Sequence, residues 1–191
     1  MLDRIINEAS NAVVAAVQGA GDVVGAVTGT VKEQVVNALQ GASEAGIAGI
    51  DAVASVADGA IRGAGQVGSS LTEVTASTIS GVVGGASQVG GDVIEAVKGG
   101  AQGVVKATAE TGGDVGSVAV TAVDSAIKSA GEVGADTAEA AKAAAGGAVD
   151  AAASVSGDAA SKVREALLSA AALPHDVIDS VIKGSDDKQQ Q

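Results

Sequence analysis

Apolar side chains recur along this chain in steps close to 3-4-4. From Gly19 onward the pattern divides without a gap into seven units of 22 residues, beginning at Gly19, Gly41, Gly63, Gly85, Ala107, Ser129 and Ala151 and ending at Ala172. Within a unit the apolar positions are the second, fifth, ninth, thirteenth, sixteenth or seventeenth, and twentieth or twenty-first. Such steps make an eleven-residue period of about 3.67 residues per turn, which gathers these positions on one face of an α-helix. The opposite face holds Asp22, Glu44, Glu110 and Glu132; Asp92, Asp114, Asp136 and Asp158; Asp51, Glu73, Glu95 and Glu139; and Arg62, Lys106 and Lys128. Alternation of period two fits neither face. The predicted fold is all-α, with long amphipathic helices built from seven 22-residue (2 × 11) repeats.

The apolar face carries Val23, Val27, Val31, Val35, Leu39, Val53, Ile61, Val67, Leu71, Ile79, Val83, Val89, Val93, Val97, Val105, Val115, Val123, Ile127, Val133 and Val149. These are the candidate self-association residues, because an amphipathic helix must cover its apolar stripe with something. Glycine complicates the picture. Each of the 28 glycines costs about 1 kcal/mol relative to Ala inside a helix, so a lone helix of this sequence is largely unfolded in water. The glycines favour the first, sixth, seventh and nineteenth positions of the unit. Two readings stand side by side. Small residues at these places let helix backbones approach closely, and the apolar phase runs straight through the Gly-Gly pairs, as in continuous helices. Alternatively, Gly90-Gly91-Asp92 and Gly112-Gly113-Asp114 are a helix stop followed by an Asp N-cap, with capping-box spacing at Asp92–Glu95 and Asp136–Glu139. On that view the chain is broken at its Gly-Gly points into a bundle or solenoid.

Both ends depart from the repeat. Residues 1–18 read as a lead-in helix with bulkier aliphatics at Leu2, Ile5, Ile6, Val13, Val14 and Val17. Residues 19–172 hold the repeats. Residues 173–184 read as a short helix opened by Pro174 and closed by Gly184, and residues 185–191 as a polar, disordered tail. Leu173, Val177, Ile178, Val181 and Ile182 are either the atypical cap of a repeat array or a docking segment for a partner.

Composition narrows the functions. The chain has no Phe, Trp, Tyr or Cys, and 11 basic against 23 acidic residues leave a net charge of −12. Lack of Cys removes disulfides and thiolate chemistry, and the acidity argues against nucleic acid and anionic lipid as partners. No secretory signal is visible at the start. The longest uncharged stretch, Val74 to Gly91, is diluted by Ser, Thr and Gly, so a membrane span is not expected. The expected location is cytoplasmic.

Candidate chemistry is sparse. His175, the single histidine, cannot complete a zinc site without further ligands and reads as an exposed residue of a helix first turn. The carboxylates recur on a solvated face, whereas paired catalytic acids need unlike environments, and no loop has EF-hand spacing. Gly63-Ala64-Gly65-Gln66-Val67-Gly68 spells G-x-G-x-x-G only as a by-product of the repeat. The threonines keep no single register of the kind an ice-binding array needs. The expectation is a non-enzymatic chain without cofactor or metal.

The segment Thr28-Gly29-Thr30-Val31-Lys32-Glu33-Gln34-Val35 resembles the imperfect eleven-residue repeats of synucleins and perilipins. The Ala-rich, aromatic-free helix is similar to late-embryogenesis-abundant (LEA) proteins. The resemblance implies a chain that becomes helical on a lipid surface or on drying. It departs from those families in its acidity and its glycine content. Three functions follow as expectations. The first is a structural protein that self-associates through its Ala/Val/Gly face into a homo-oligomer or polymer, as a bundle, sheet or filament. The alternatives are an amphipathic coat on a neutral lipid or polymer inclusion surface, and a LEA-like stress protectant.

Overall fold

The computed structural model describes residues 2–19, 22–45 and 48–189. These form α1 (Leu2–Gly19), α2 (Val23–Ala45), α3 (Gly49–Gln66), α4 (Leu71–Gln88), α5 (Val93–Glu110), α6 (Val115–Glu132), α7 (Thr137–Val155), α8 (Gly157–Ser169) and α9 (His175–Gln189), with no strand among the described residues. Helices α3 to α6 each span 18 residues. A four-residue turn follows each of them, so one helix plus one turn makes the 22-residue unit.

The turns show why the chain breaks there. Gly68, Gly90, Gly112 and Gly134, at the sixth position of their units, adopt φ of +69°, +66°, +74° and +75°, a left-handed conformation that favours glycine. Around Gly90, the Gly91 N–H donates to the Ala86 carbonyl at 2.9 Å and the Gly90 N–H to the Ser87 carbonyl at 3.2 Å. This pair of bonds is a Schellman cap, and the same pair recurs at Gly68, Gly112 and Gly134. Two residues later Asp92, Asp114 or Asp136 caps the next helix, each accepting two backbone N–H bonds. At Gly68, Gly90, Gly112 and Gly134 the structure therefore breaks the helix once per unit, and the continuous-helix alternative is corrected. Continuity of the apolar phase did not distinguish the two, because 22 residues are about six turns at 3.6 residues each. Every unit thus restarts in the same phase whether or not the helix continues.

The seventh unit shows what the turn glycine does. Its sixth position is Ser156, with φ −164° and ψ 155°, and this one extended residue separates α7 from α8. Ser156 also caps α8, its Oγ accepting from the Ala159 N–H at 3.1 Å. Where serine replaces glycine, the four-residue turn collapses to a single-residue corner.

The helices stack in two layers, α1, α3, α5, α7 and α9 in one and α2, α4, α6 and α8 in the other. Neighbours within a layer run parallel, and their closest approaches fall at glycines of the first and nineteenth positions and at Gly99 of the fifteenth, where an added Cβ would lie 2.7 Å from the Ile50 carbonyl oxygen. A Cβ added to Gly59 would lie 2.3 Å from the Ile6 carbonyl oxygen, one on Gly63 2.6 Å from that of Ser10, one on Gly103 2.2 Å from that of Ala54, and one on Gly147 2.6 Å from that of Lys98. In the other layer, Gly81 and Gly85 approach the Thr28 and Lys32 carbonyls in the same way. Gly59, Gly63, Gly81, Gly85, Gly103 and Gly147 thus serve backbone contact, Gly19 and Gly41 at first positions meet nothing within 4 Å, and glycine at the sixth position serves the turn.

The core lies between the layers. Val27, Val31, Val35, Val53, Ile61, Ile79, Val83, Val97, Val105, Val115, Val123 and Val149 are all buried there. Val23, Leu39, Leu71, Val93 and Ile127 pack half-buried against them. Val67, Val89 and Val133, at the fifth position of their units, differ because each is a helix C-cap. Val67 and Val89 are half-buried and Val133 is exposed. At the C-terminal end Leu173, Ile178, Val181 and Ile182 are buried and Val177 packs on the core. The apolar side chains of this segment pack within the chain, as those of a terminal cap do. Helix α9 also continues through Gly184 to Gln189, where the sequence pattern had it stop.

Candidate functional site

In α3, α5 and α7 the eleventh position is Asp51, Glu95 or Glu139 and the twenty-second is Arg62, Lys106 or Asp150, so polar side chains recur along the odd-numbered layer. There a groove of about 280 Å3 crosses α1, α3, α5 and α7. Leu2, Ile6, Ala54 and Ala151 supply its apolar patches. Asp51, Ser55, Asp58, Gln102, Lys106, Asp150 and Ser154 supply its polar groups, and the close approach of Gly103 to Ala54 forms part of the lining.

One ion-pair network ties this surface together. Arg62 on α3 donates from Nε to Asp58, one turn back on the same helix, and from a terminal nitrogen to Glu110 at the end of α5. Asp58 is only 3% exposed, so its carboxylate depends on the guanidinium for a partner. The bond that Arg62 donates to Asp58 is the largest influence on the guanidinium and, with Glu110, raises its pKa against the opposing effect of burial. The guanidinium is thus a fixed cation locking α3 to α5. The pattern placed Arg62 and Glu110 on the polar face and overlooked Asp58. A carboxylate four residues before an arginine was the available signal, but nothing in the periodicity marks the eighteenth position as buried in this unit.

The other candidates fall where their chemistry is ordinary. His175 is exposed in the first turn of α9. The G-x-G-x-x-G letters lie at the end of α3 and in its turn, not between a strand and a helix. Among the described residues no group of three or more His, Asp or Glu stands close enough to hold a metal, and no described helix is long and apolar enough to cross a membrane. The groove combines small apolar patches with carboxylates and one lysine.

No protein-family model and no curated protein matches the chain. Among solved structures it is similar to a crystal structure of the de novo designed helical repeat protein DHR7. The two share 20% identity over the whole of both chains, with a TM-score of 0.54. The fold is a helical repeat.

Proposed function

We propose that this chain is a structural scaffold, a preformed helical-repeat array that offers the groove across α1, α3, α5 and α7 as its docking face. The observation that carries this reading is that the Ala/Val/Gly faces are already covered by other helices of the same chain. A stripe used in this way is not left over for a lipid surface, a polymer inclusion or a second copy, and helix formation does not have to wait for any of them. The repeat stacking supports the same reading, because such arrays present extended concave surfaces.

Circular dichroism and light scattering on the pure protein test it. The expected result is full helicity and cooperative melting in dilute buffer, unchanged with protein concentration, from a particle of monomer mass. Helix that grows with concentration would favour the self-associating polymer instead. Helix that appears only with neutral lipid would favour the coat, and helix only on drying the LEA-like protectant.

A further inference from the structure

The even-numbered layer is not packed uniformly. Helix α4 meets α2 through Gly81 and Gly85, where an added Cβ would lie 2.8 Å from the Thr28 carbonyl oxygen and 2.9 Å from that of Lys32. Helix α6 carries Ser125 and Ser129 at the same two positions of its unit, and its interface with α4 is thinner than that of α2 with α4. A serine side chain does not fit at the spacing that Gly81 and Gly85 allow, so α6 stands off. The gap is filled by hydroxyls. Ser125 and Ser129 are buried, and the Ser129 and Ser80 hydroxyls share a hydrogen bond of 3.0 Å. On the other side of α6 the odd-numbered layer stays tight, with Gly103 against Ala54 and Gly147 against Lys98.

We propose that the α4–α6 seam is the compliant joint of the array, with α3, α5 and α7 as the inextensible spine about which it bends. A glycine contact between backbones is lost outright when helices separate. A serine hydroxyl released from a neighbour can instead bond the carbonyl four residues back on its own helix, as Thr121 does to Ser117 at 2.8 Å on α6 itself. Opening the seam therefore sacrifices little. Widening the even side while the odd side keeps its length curls the odd-layer face inward and narrows its groove. The joint thus sets the width of the surface that a docked partner would meet.

The chain has no cysteine, so spin labels can be placed cleanly in the full-length protein. Gln40→Cys with Lys128→Cys spans α2 to α6 across the seam. Gln66→Cys with Ser154→Cys spans α3 to α7 over the same number of repeats, since both pairs are 88 residues apart and exposed. Pulsed dipolar spectroscopy is expected to give a broad distance distribution for the first pair and a narrow one for the second. Adding Ser125→Gly and Ser129→Gly should shorten and sharpen the first distribution and leave the second alone. Equal widths for the two pairs in the parent protein would overturn the proposal. So would a cross-seam distribution that glycine at 125 and 129 does not sharpen while circular dichroism shows the variant still folded.

Discussion

Glycine serves opposed purposes at different residues of this chain, and substitution separates them. At Gly103 a methyl group would sit 2.2 Å from the Ala54 carbonyl oxygen and 2.7 Å from the Ala57 Cβ, so α5 must move away from α3. Overpacking of this kind costs about 1–3 kcal/mol, more than the roughly 1 kcal/mol that alanine gains inside a helix. Gly103→Ala should therefore lower stability by a net of about 1 kcal/mol, read from urea unfolding midpoints. At Gly29, exposed in the interior of α2, nothing lies within 4 Å of an added Cβ, so only the helix gain remains. Gly29→Ala should raise stability by up to about 1 kcal/mol in the same measurement. Thr78 is a third kind of residue. It is fully buried in α4 and its hydroxyl has no hydrogen-bond partner, at a position where other units bury Val56, Ala122 and Ala144. A buried hydroxyl left unsatisfied costs about 1–3 kcal/mol. Thr78→Val, of similar shape, should stabilise by about 1 kcal/mol, and a loss of stability on that change would mean the hydroxyl is partnered in solution.

Each helix is defined by the caps that stop it as much as by the face it buries. Asp114 accepts from the Gly116 and Ser117 N–H groups at 3.1 Å and from the Ser117 hydroxyl at 2.7 Å. These bonds, the Ser117 hydroxyl first, hold its carboxyl below the ordinary aspartate value. A depressed folded pKa means that the contribution is fully present above the unfolded value and is lost as the pH falls through the folded one. Asp114→Ala should cost about 1 kcal/mol at neutral pH, and its gap from the parent should close in acid. Asp114→Asn, a neutral cap, should lose that pH dependence, as parallel denaturant titrations at neutral and acidic pH would show. The same element explains what could be read from the sequence. The helical face, the unit length and the Asp caps follow from local pattern, and the buried valines come out of periodicity alone. The continuous helix and the break at Gly-Gly share one apolar phase, so the pattern could not rank them. Only the left-handed φ of Gly90 and its equivalents separates the turn glycines from contact glycines such as Gly103. The covering of the stripe within the chain depends on four-residue turns folding each helix back onto the last, and composition does not record that.

At the scale of the whole molecule, the sequence carries an eleven-residue rhythm while the array is built from a 22-residue element, and a layer returns to itself only after two of them. Helices touch their nearest neighbours in sequence and the next but one, so a complete pair can be removed without orphaning a distant contact. Deleting residues 71–114 takes out α4 and α5 with their turns and joins Ser70 to Val115. It sets α6 beside α2 and α7 beside α3, where Gly147 meets the Ala54 carbonyl that Gly103 meets now. That protein should still unfold cooperatively as a monomer. Its denaturant m-value should fall by about a quarter, since 44 of 191 residues are gone and m follows the surface exposed on unfolding. Deleting residues 71–103 removes 33 residues, three full eleven-residue periods, and leaves the apolar phase intact. It also cuts α5 down to Val104–Glu110, a stub too short to span the layer or to carry the contacts of Gly99 and Gly103 with α3. The shorter deletion should therefore do more damage, with a shallow, non-cooperative transition and lost helicity. If the 33-residue deletion melted as sharply as the 44-residue one, the eleven-residue rhythm rather than the capped helix would be the folding unit, and the layered array would have to be abandoned.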